Sequence, residues 1–383
     1  MNSRLKVAVV QDALPFFGGA ERVLEAVLEL FPGAPIYTLV HNPKAFKKSL
    51  IKDHEVHTSF INKLPGAGKI YRRYLPLFPL AIEQFDLRTY DVILSFSYAV
   101  AHGVLVRPEQ VHINFTYTPL RHAWHQYHQY TADEKMRNTF KSWTSKIILH
   151  YLRLWDMAAA QRVDNFVAIS HWVAGLVWRA YRRSARVIYP PVNVLDFQPL
   201  TPRGDYYLTV SRLARHKRVD LIVEAFSQLG LPLLVVGAGS ERQKLERLAA
   251  SNVKFLGWQP DENVRELMGR GKALVHAAEE DFGIAIVEAQ ASGCPIIAYG
   301  QGGVLETVIE NQTGMYFQEQ SVEAITAAVE NFEGRASKFD VRIMQQNAER
   351  FSKSRFQEEV LDLVGGGSEA LQNRKIAYSH NTV

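Results

Sequence analysis

The sequence predicts an α/β protein built from two doubly wound, Rossmann-like domains in tandem, and three observations carry that expectation. Short apolar runs of strand length alternate with stretches whose apolar residues recur at helical spacing. The segment RVIYPPVNVLDFQPLTPRGD, at 186–205 with four prolines, interrupts the alternation as a domain junction would. Beyond it the alternation starts again, and 383 residues are enough for two or three domains, each with its own core.

Taken in order, LKVAVVQ (5–11) reads as a buried strand, the glycine-bearing FFGGAER follows, and ERVLEAVLELF (21–31) has the spacing of an amphipathic helix. PIYTLV (35–40), DVILSFS (91–97), VHINFTY (111–117) and NFVAIS (165–170) are further strands, with helical stretches between them, notably 132–161. After the junction the strands are YYLTVS (206–211), LPLLVVG (231–237), VKFLG (253–257), KALVHA (272–277) and CPIIAYG (294–300). Helical stretches at 338–351 and 354–364 follow the second sheet, and a helix within 351–364 is placed to cross back to the first domain. The glycine-rich tail from 365 to 383 reads as a flexible extension. The division expected is therefore 1–190, 191–350, 351–364 and 365–383.

With 47% hydrophobic and 22% charged residues, the composition is that of an ordinary soluble globular protein. No run of eighteen apolar residues is present, and MNSRLKVAVVQDA is too briefly apolar for a signal-peptide core, so a cytoplasmic location is expected. The single cysteine, Cys294, excludes an internal disulfide or a multi-cysteine metal site and reads as a small packing residue. A net charge of +5 suits nucleic acid, an anionic membrane or phosphorylated ligands. The cations interleave with large apolar residues at 44–52, 69–85 and 178–186, the composition of a helix in a membrane interface; solvated faces over buried aromatics explain it equally well. No nucleic-acid-binding module is recognisable, and no nucleic-acid partner is expected.

Ligands of doubly wound sheets bind beyond the carboxyl ends of the strands. Two loops there stand out. SRLARHK (211–217) offers Arg212, Arg215, His216 and Lys217, a guanidinium fork and a compact ammonium suited to a diphosphate. EEDFGIAIVEAQASGCP (279–295) sets Glu280 before a helix and Glu288 inside it, with seven residues between them. If the helix begins near Gly283, the amides of Gly283, Ile284 and Ala285 form an anion site. Two carboxylate acceptors flanking an anion cradle suit a diphosphate with hydroxyls on both sides, which describes a nucleotide sugar. The rival patterns are missing. QDALPFFGGAE lacks the G-x-G-x-x-G of a dehydrogenase, GAGK (66–69) lacks the rest of a P-loop, and no Asp-x-Asp metal motif occurs.

The stretch E-D-F-G-I-A-I-V-E-A-Q-A-S-G-C-P-I-I-A resembles the signature of the retaining glycosyltransferases of family 4, group 1 glycosyltransferases with the GT-B fold of two facing Rossmann-like domains. FFGGAERV is similar to the family's first-domain glycine loop, SRLARHKRVD to its Arg and Lys loop, and VVGAGSERQKLE and VKFLGWQPDENVRELM to the segments around the nucleoside. The resemblance implies a retaining hexosyltransferase that takes a nucleotide sugar, UDP-hexose slightly before GDP-mannose, to a glycan or lipid-linked acceptor held by the first domain. No cofactor or metal is implied. Glu280 would hold donor-sugar hydroxyls and Glu288 the ribose; Arg212 and Lys217 would stabilise the diphosphate with the amides of Gly283, Ile284 and Gly19. Gly18, Gly237 and Trp258 lie in the matching donor segments. One departure concerns F-T-Y-T-P-L-R, where Tyr117 stands at the place of a histidine that many relatives set beside the donor sugar; His102 and His122 are the substitutes considered. A non-catalytic nucleotide-sugar-binding or scaffold protein is the alternative implied by that departure.

Overall fold

The computed structural model describes residues 5–128 and 140–380. They divide into two compact units, one running to Tyr189 and taking in Gln357 onward, the other spanning Pro190–Phe356.

The first unit holds a seven-stranded, all-parallel sheet in the order β3-β2-β1-β4-β5-β6-β7. Its strands are β1 (Val7–Gln11), β2 (Ile36–Thr38), β3 (Val56–Thr58), β4 (Val92–Ser97), β5 (Val111–Thr116), β6 (Asn165–Ala168) and β7 (Ala185–Val187). β1, β4 and β5 are buried along their whole length, as strands covered on both faces must be. Not every buried residue is apolar. Ser95 Oγ lies 2.7 Å from His112 Nε2, and Asn114 donates to Ser95 Oγ at 2.9 Å and to Ser97 Oγ at 3.1 Å, so the polar groups of β4 and β5 satisfy one another. Burial pushes His112 down to about 4, which keeps that ring neutral at physiological pH.

The second unit repeats the plan in a six-stranded parallel sheet, β10-β9-β8-β11-β12-β13. These strands are β8 (Tyr207–Val210), β9 (Leu233–Val236), β10 (Val253–Gly257), β11 (Ala273–His276), β12 (Ile296–Tyr299) and β13 (Gly314–Phe317). The helices Val219–Leu229 and Val322–Glu333 bury their apolar stripes on it, with Phe226, Val223, Val329 and Phe332 fully enclosed. Cys294 is buried as well, and burial pushes its thiol up to about 12.

Three strands escape the sequence pattern: β3, β7 and β13. β3 and β7 are three-residue edge strands that are only partly buried, so no apolar run marks them. The helix expected over 132–161 is observed as Phe140–Ala159, and residues 132–139 lie outside the described residues. The tail taken as a flexible extension from 365 is instead the continuation of one long helix, Lys353–His380. Good helix formers in EALQNRK after the glycines favour that outcome. From Gln357 this helix belongs to the first unit: Gln357 Nε2 donates to Ala26 O at 3.0 Å, and Arg186 meets Asp362 at 2.9 Å.

The interfacial reading of 69–85 is corrected at Tyr71, Tyr74, Leu75 and Phe78, while Leu77 and Leu80 of that stretch are exposed. Tyr71 and Phe78 are buried, and Tyr74 and Leu75 pack against the same core as Ile61, Ile82 and Leu87. They stabilise the first unit and are not available to a lipid surface. The larger exposed apolar surface lies on Phe140–Ala159, where Trp143, Ile147, Tyr151, Leu154 and Met157 recur at three- and four-residue spacing.

In the second unit two loops touch backbone to backbone. Gly237 has φ +135°, and a Cβ there would sit 1.8 Å from Ser211 O; at Gly239 it would sit 2.0 Å from Leu213 O. Gly237→Ala should therefore destabilise the protein by about 3 kcal/mol or more in chemical denaturation. Gly365→Ala, in a helix with open space at that position, should be neutral or stabilising by up to about 1 kcal/mol.

Candidate functional site

The site of the second unit forms where β8 and β11 lie side by side. Leaving β8, the chain enters a loop pinned by Ser211 N to Val236 O at 3.1 Å and by Leu213 N to Ala238 O at 2.9 Å. A single 3-10 turn, Arg215–Lys217, then ends at Arg218 in the left-handed region, which turns the chain into the helix Val219–Leu229. Arg212, Arg215 and His216 are exposed on this loop, while Lys217 is partly buried.

Lys217 Nζ donates to Glu280 Oε1. Glu280 sits in the loop after β11, and His276, the last residue of that strand, brings Nε2 to 2.9 Å from the same oxygen without hydrogen-bond alignment. Burial by itself would raise the Glu280 carboxyl, but the Lys217 ammonium and the nearby His276 outweigh it and hold the pKa well below the usual carboxylate range. Glu280 is thus an ionised, mostly enclosed carboxylate. Both contacts fall on Oε1, and Oε2 meets neither.

The loop carrying Glu280 is fixed by its main chain. Gly303 N donates to Glu280 O at 2.7 Å, and added Cβ atoms at Gly302 and Gly303 would lie 2.4 Å from Glu280 O and Asp281 O. Gly283, with φ +93°, caps the helix Ile284–Ala291, whose ladder begins with Ile286 N donating to Gly283 O at 3.0 Å. The amides ahead of that bond have no acceptor within the helix and sit at its positive end. Glu288 is only 7% exposed, one turn into the same helix. Lys217, Glu280, Gly283, Ile284 and Glu288 are therefore carried by two adjoining loops and one helix. Gly237 lies against Ser211 at the rim of the same platform, and Trp258, just after β10, is 73% exposed.

Sequence reasoning passed over His276. Its signal was a polar residue closing an otherwise apolar strand four positions before a glutamate.

In the first unit, Gly18 in extended conformation precedes the helix Gly19–Leu28. Tyr117 is buried and its hydroxyl donates to Ala20 O at 2.9 Å, so its proton is committed to that helix. Burial holds the Tyr117 pKa well above the usual range. Glu21, which the sequence reading also missed, is buried in the first turn of the helix, and burial pushes its carboxyl up to about 7 despite the amides of Glu21 and Gly18. It can exchange a proton near neutral pH. His102 is buried with Nε2 3.1 Å from Asp156 Oδ1, and Trp124 and Tyr181 donate to Asp156 Oδ2 at 2.7 and 2.8 Å. That makes His102 part of a core network. His122 is exposed in the loop after β5, and the surrounding protein, then Arg121 and Arg72, lower its pKa.

With this geometry in view, comparison with known proteins bears chiefly on the second unit. Residues 196–351 match the family described as glycosyl transferases group 1. The second unit is thus similar to group 1 glycosyl transferases over most of its length. A glycogen synthase of Xanthomonas campestris is 29% identical over 185 residues, covering 46% of this chain and 37% of that protein. The chain thus spans little more than a third of the length of that curated relative. Among solved structures, a sucrose-phosphate synthase of Thermosynechococcus elongatus aligns over 96% of this chain and 100% of its own with a TM-score of 0.76 at 17% identity. Anabaena Alr3699/HepE, solved in complex with UDP, aligns over 94% and 100% with a TM-score of 0.70, also at 17% identity. The fold of the chain is GT-B. The second unit carries the Lys217–Glu280–His276 cluster, and the first unit completes the two-domain, Rossmann-like architecture.

The cluster makes a testable demand on stability. Because the folded-state pKa of Glu280 is depressed, its contribution is present above the unfolded value of about 4.5 and is lost as pH falls through the lower folded value. Lys217→Met, which strands the carboxylate, should cost about 3 kcal/mol at pH 7. The deficit should shrink below pH 4.5 and be largely repaired by adding Glu280→Gln. Urea denaturation of the single and double variants at pH 7 and pH 4 measures this, and an unchanged Lys217→Met at pH 7 would show the pair contributes nothing.

Proposed function

We propose that the protein is a retaining hexosyltransferase that moves a hexose from a nucleotide sugar, a UDP-hexose before GDP-mannose, to a glycan or lipid-linked acceptor in cell-surface polysaccharide synthesis. One observation carries the reading: an enclosed, ionised Glu280 held through one oxygen by Lys217 with His276 close beside it, next to a helix end whose first amides have no acceptor within the helix. The structural relatives add support, since Alr3699/HepE has also been solved with UDP-glucose.

In this mechanism Glu280 Oε2 accepts hydroxyls of the donor sugar, and the Oε1 clamp keeps the carboxylate from turning away. Lys217 has three donors and spends one on Glu280, so the others, with Arg212 and the amides of Gly283 and Ile284, meet the diphosphate as its charge grows on bond cleavage. Glu288 holds the ribose. The leaving phosphate takes the acceptor proton on the same face, so no protein base and no metal is required, and no cofactor enters. The acceptor is held by the first unit.

A non-catalytic nucleotide-sugar-binding protein is the second reading, favoured by Tyr117, whose proton is already given to Ala20. Slow hydrolysis of radiolabelled UDP- or GDP-sugars supports transfer chemistry; tight nucleotide binding with no hydrolysis or transfer supports the second reading. If the roles are assigned correctly, Glu280→Gln lowers turnover with little loss of UDP affinity, whereas Glu288→Ala weakens UDP binding itself. Arg212→Ala should cost ~2–4 kcal/mol in the transition state, visible in kcat as well as KM. Calorimetry and steady-state kinetics decide, and equal losses of UDP affinity in the two glutamate variants would reject the assignment.

Peripheral membrane contact belongs to the same proposal, and the exposed face of Phe140–Ala159 is better suited to it than the buried residues of 69–85. Its Trp143, Ile147, Tyr151 and Leu154 adjoin exposed Lys146, and no helix among the described residues is long and apolar enough to cross a bilayer. Binding to anionic vesicles should fall with salt and on Trp143→Glu with Ile147→Glu, but not on Tyr74→Phe. No sedimentation with anionic vesicles at low salt would reject membrane contact.

A further inference from the structure

The first unit contains a pocket of about 460 Å³ that no part of the transfer chemistry uses. Its walls come from three places: the loop after β5 with Trp124, His125, Tyr127 and His128, the helix Phe140–Ala159 with Arg153, and the helix His171–Tyr181 with Arg179. The volume is within the range of small-molecule sites. Its chemistry is one-sided. Among the described residues two guanidinium groups and two imidazoles line it and no carboxylate does, and neither Arg153 nor Arg179 has a carboxylate partner there.

Two of the lining groups are held in place. Arg153 Nε donates to Ala123 O at 2.7 Å, and its guanidinium lies 5.0 Å from the Tyr127 ring centre and 5.9 Å from that of Trp124. Trp124 is fixed in turn through Nε1, which donates to Asp156 Oδ2 at 2.7 Å. Asp156 is fully buried and also binds Tyr181 and faces His102. The network around His102 therefore acts as a positioning frame for the pocket, and its cation and aromatic faces are set before any ligand arrives. Such a frame does not suit an apolar ligand, which would leave two guanidinium groups desolvated and unpaired. Nor does it suit a cation.

We propose that this pocket binds an anionic saccharide, with the sugar ring against Trp124 and Tyr127 and its phosphate or carboxylate between Arg153 and Arg179. Arg supplies a planar fork for either anion, and an aromatic face covers the C–H side of a pyranose ring while its hydroxyls reach His125 and His128. As the site of the acceptor's charged sugar, the pocket rests on the transferase reading; as a binding site it stands without it.

The test uses the full chain and separates the two. Calorimetric titrations are run with glucose 1-phosphate, glucuronate, methyl glucoside and inorganic phosphate. At least one charged sugar should bind, more weakly as salt rises, and at least about tenfold more weakly in Arg179→Ala, the loss of a charge-assisted hydrogen bond. Methyl glucoside should not bind measurably, and Trp124→Leu should weaken the charged sugar but not free phosphate. Inorganic phosphate matching the best charged sugar would overturn the saccharide part, and charged-sugar affinity unchanged in Arg179→Ala would overturn the site. UDP affinity is measured on the same variants. Its loss in Lys217→Ala but not in Arg179→Ala keeps the donor site distinct, so the pocket can fail while the transferase reading stands, and the converse.

Discussion

Both sheets reverse their strand order at one place, and the chemistry of each unit depends on how that reversal is closed. In the first unit the chain runs outward from β1 to β3 and then from β4 to β7 on the other side; in the second it runs from β8 to β10 and then from β11 to β13. The loops leaving β1 and β4, or β8 and β11, diverge to opposite faces and leave a gap at the carboxyl ends of neighbouring strands. A carboxylate bridges each gap. Asp12, just past β1, accepts four amides, those of Tyr98, Ala99, Val100 and Ala101 just past β4, at 2.6–2.7 Å. Glu280, past β11, takes the Lys217 ammonium from past β8. The two bridges differ in what they leave over. Asp12 spends both oxygens on main-chain donors and becomes a structural staple, whereas Glu280 spends one oxygen and retains the other.

That difference would have no functional value if the loops could drift. Positions of side chains on loops are ordinarily the least certain part of a parallel α/β fold, because nothing in the sheet holds them. Here glycine removes the freedom. The β9 loop reaches the β8 loop through Gly237 and Gly239, and the β12 loop reaches the Glu280 loop through Gly302 and Gly303, at separations where any Cβ would collide with a carbonyl. Main-chain bonds such as Gly303 N to Glu280 O then fix the register of the contact. The cost falls on the unfolded chain, which is more flexible at each glycine, and it is offset by the core of the unit beneath.

Much of this was legible in the sequence, and the parts that were not share a cause. The long buried strands show as apolar runs because both faces are covered, while β3 and β7 are too short and too exposed at the sheet edges to leave a pattern. Glu280, Glu288, Arg212 and Lys217 stand out as charges in loops or inside an apolar helix. That Lys217 would pair with Glu280, rather than each waiting separately for a ligand, depends on β8 and β11 being neighbours, which is a property of topology and not of spacing along the chain. His276 and Glu21 were missed for the same reason. A polar residue at the end of a strand or in a first helical turn looks solvated until the fold closes over it.

The first unit shows why a residue type at a matching position does not by itself carry a role. Tyr117 stands where a histidine resemblance pointed, yet its hydroxyl donates to Ala20 and its burial keeps it protonated across the working pH range. His102, the substitute, is turned into the Asp156 network. The group left near the glycine loop that can change its protonation near neutrality is Glu21, at about 7. His125 and His128 line a separate pocket with Arg153 and Arg179. Charge that the sequence displays as an undifferentiated basic excess is thus divided by the fold: Lys217 is neutralised in one unit, while Arg153 and Arg179 meet no carboxylate among the described residues of the other.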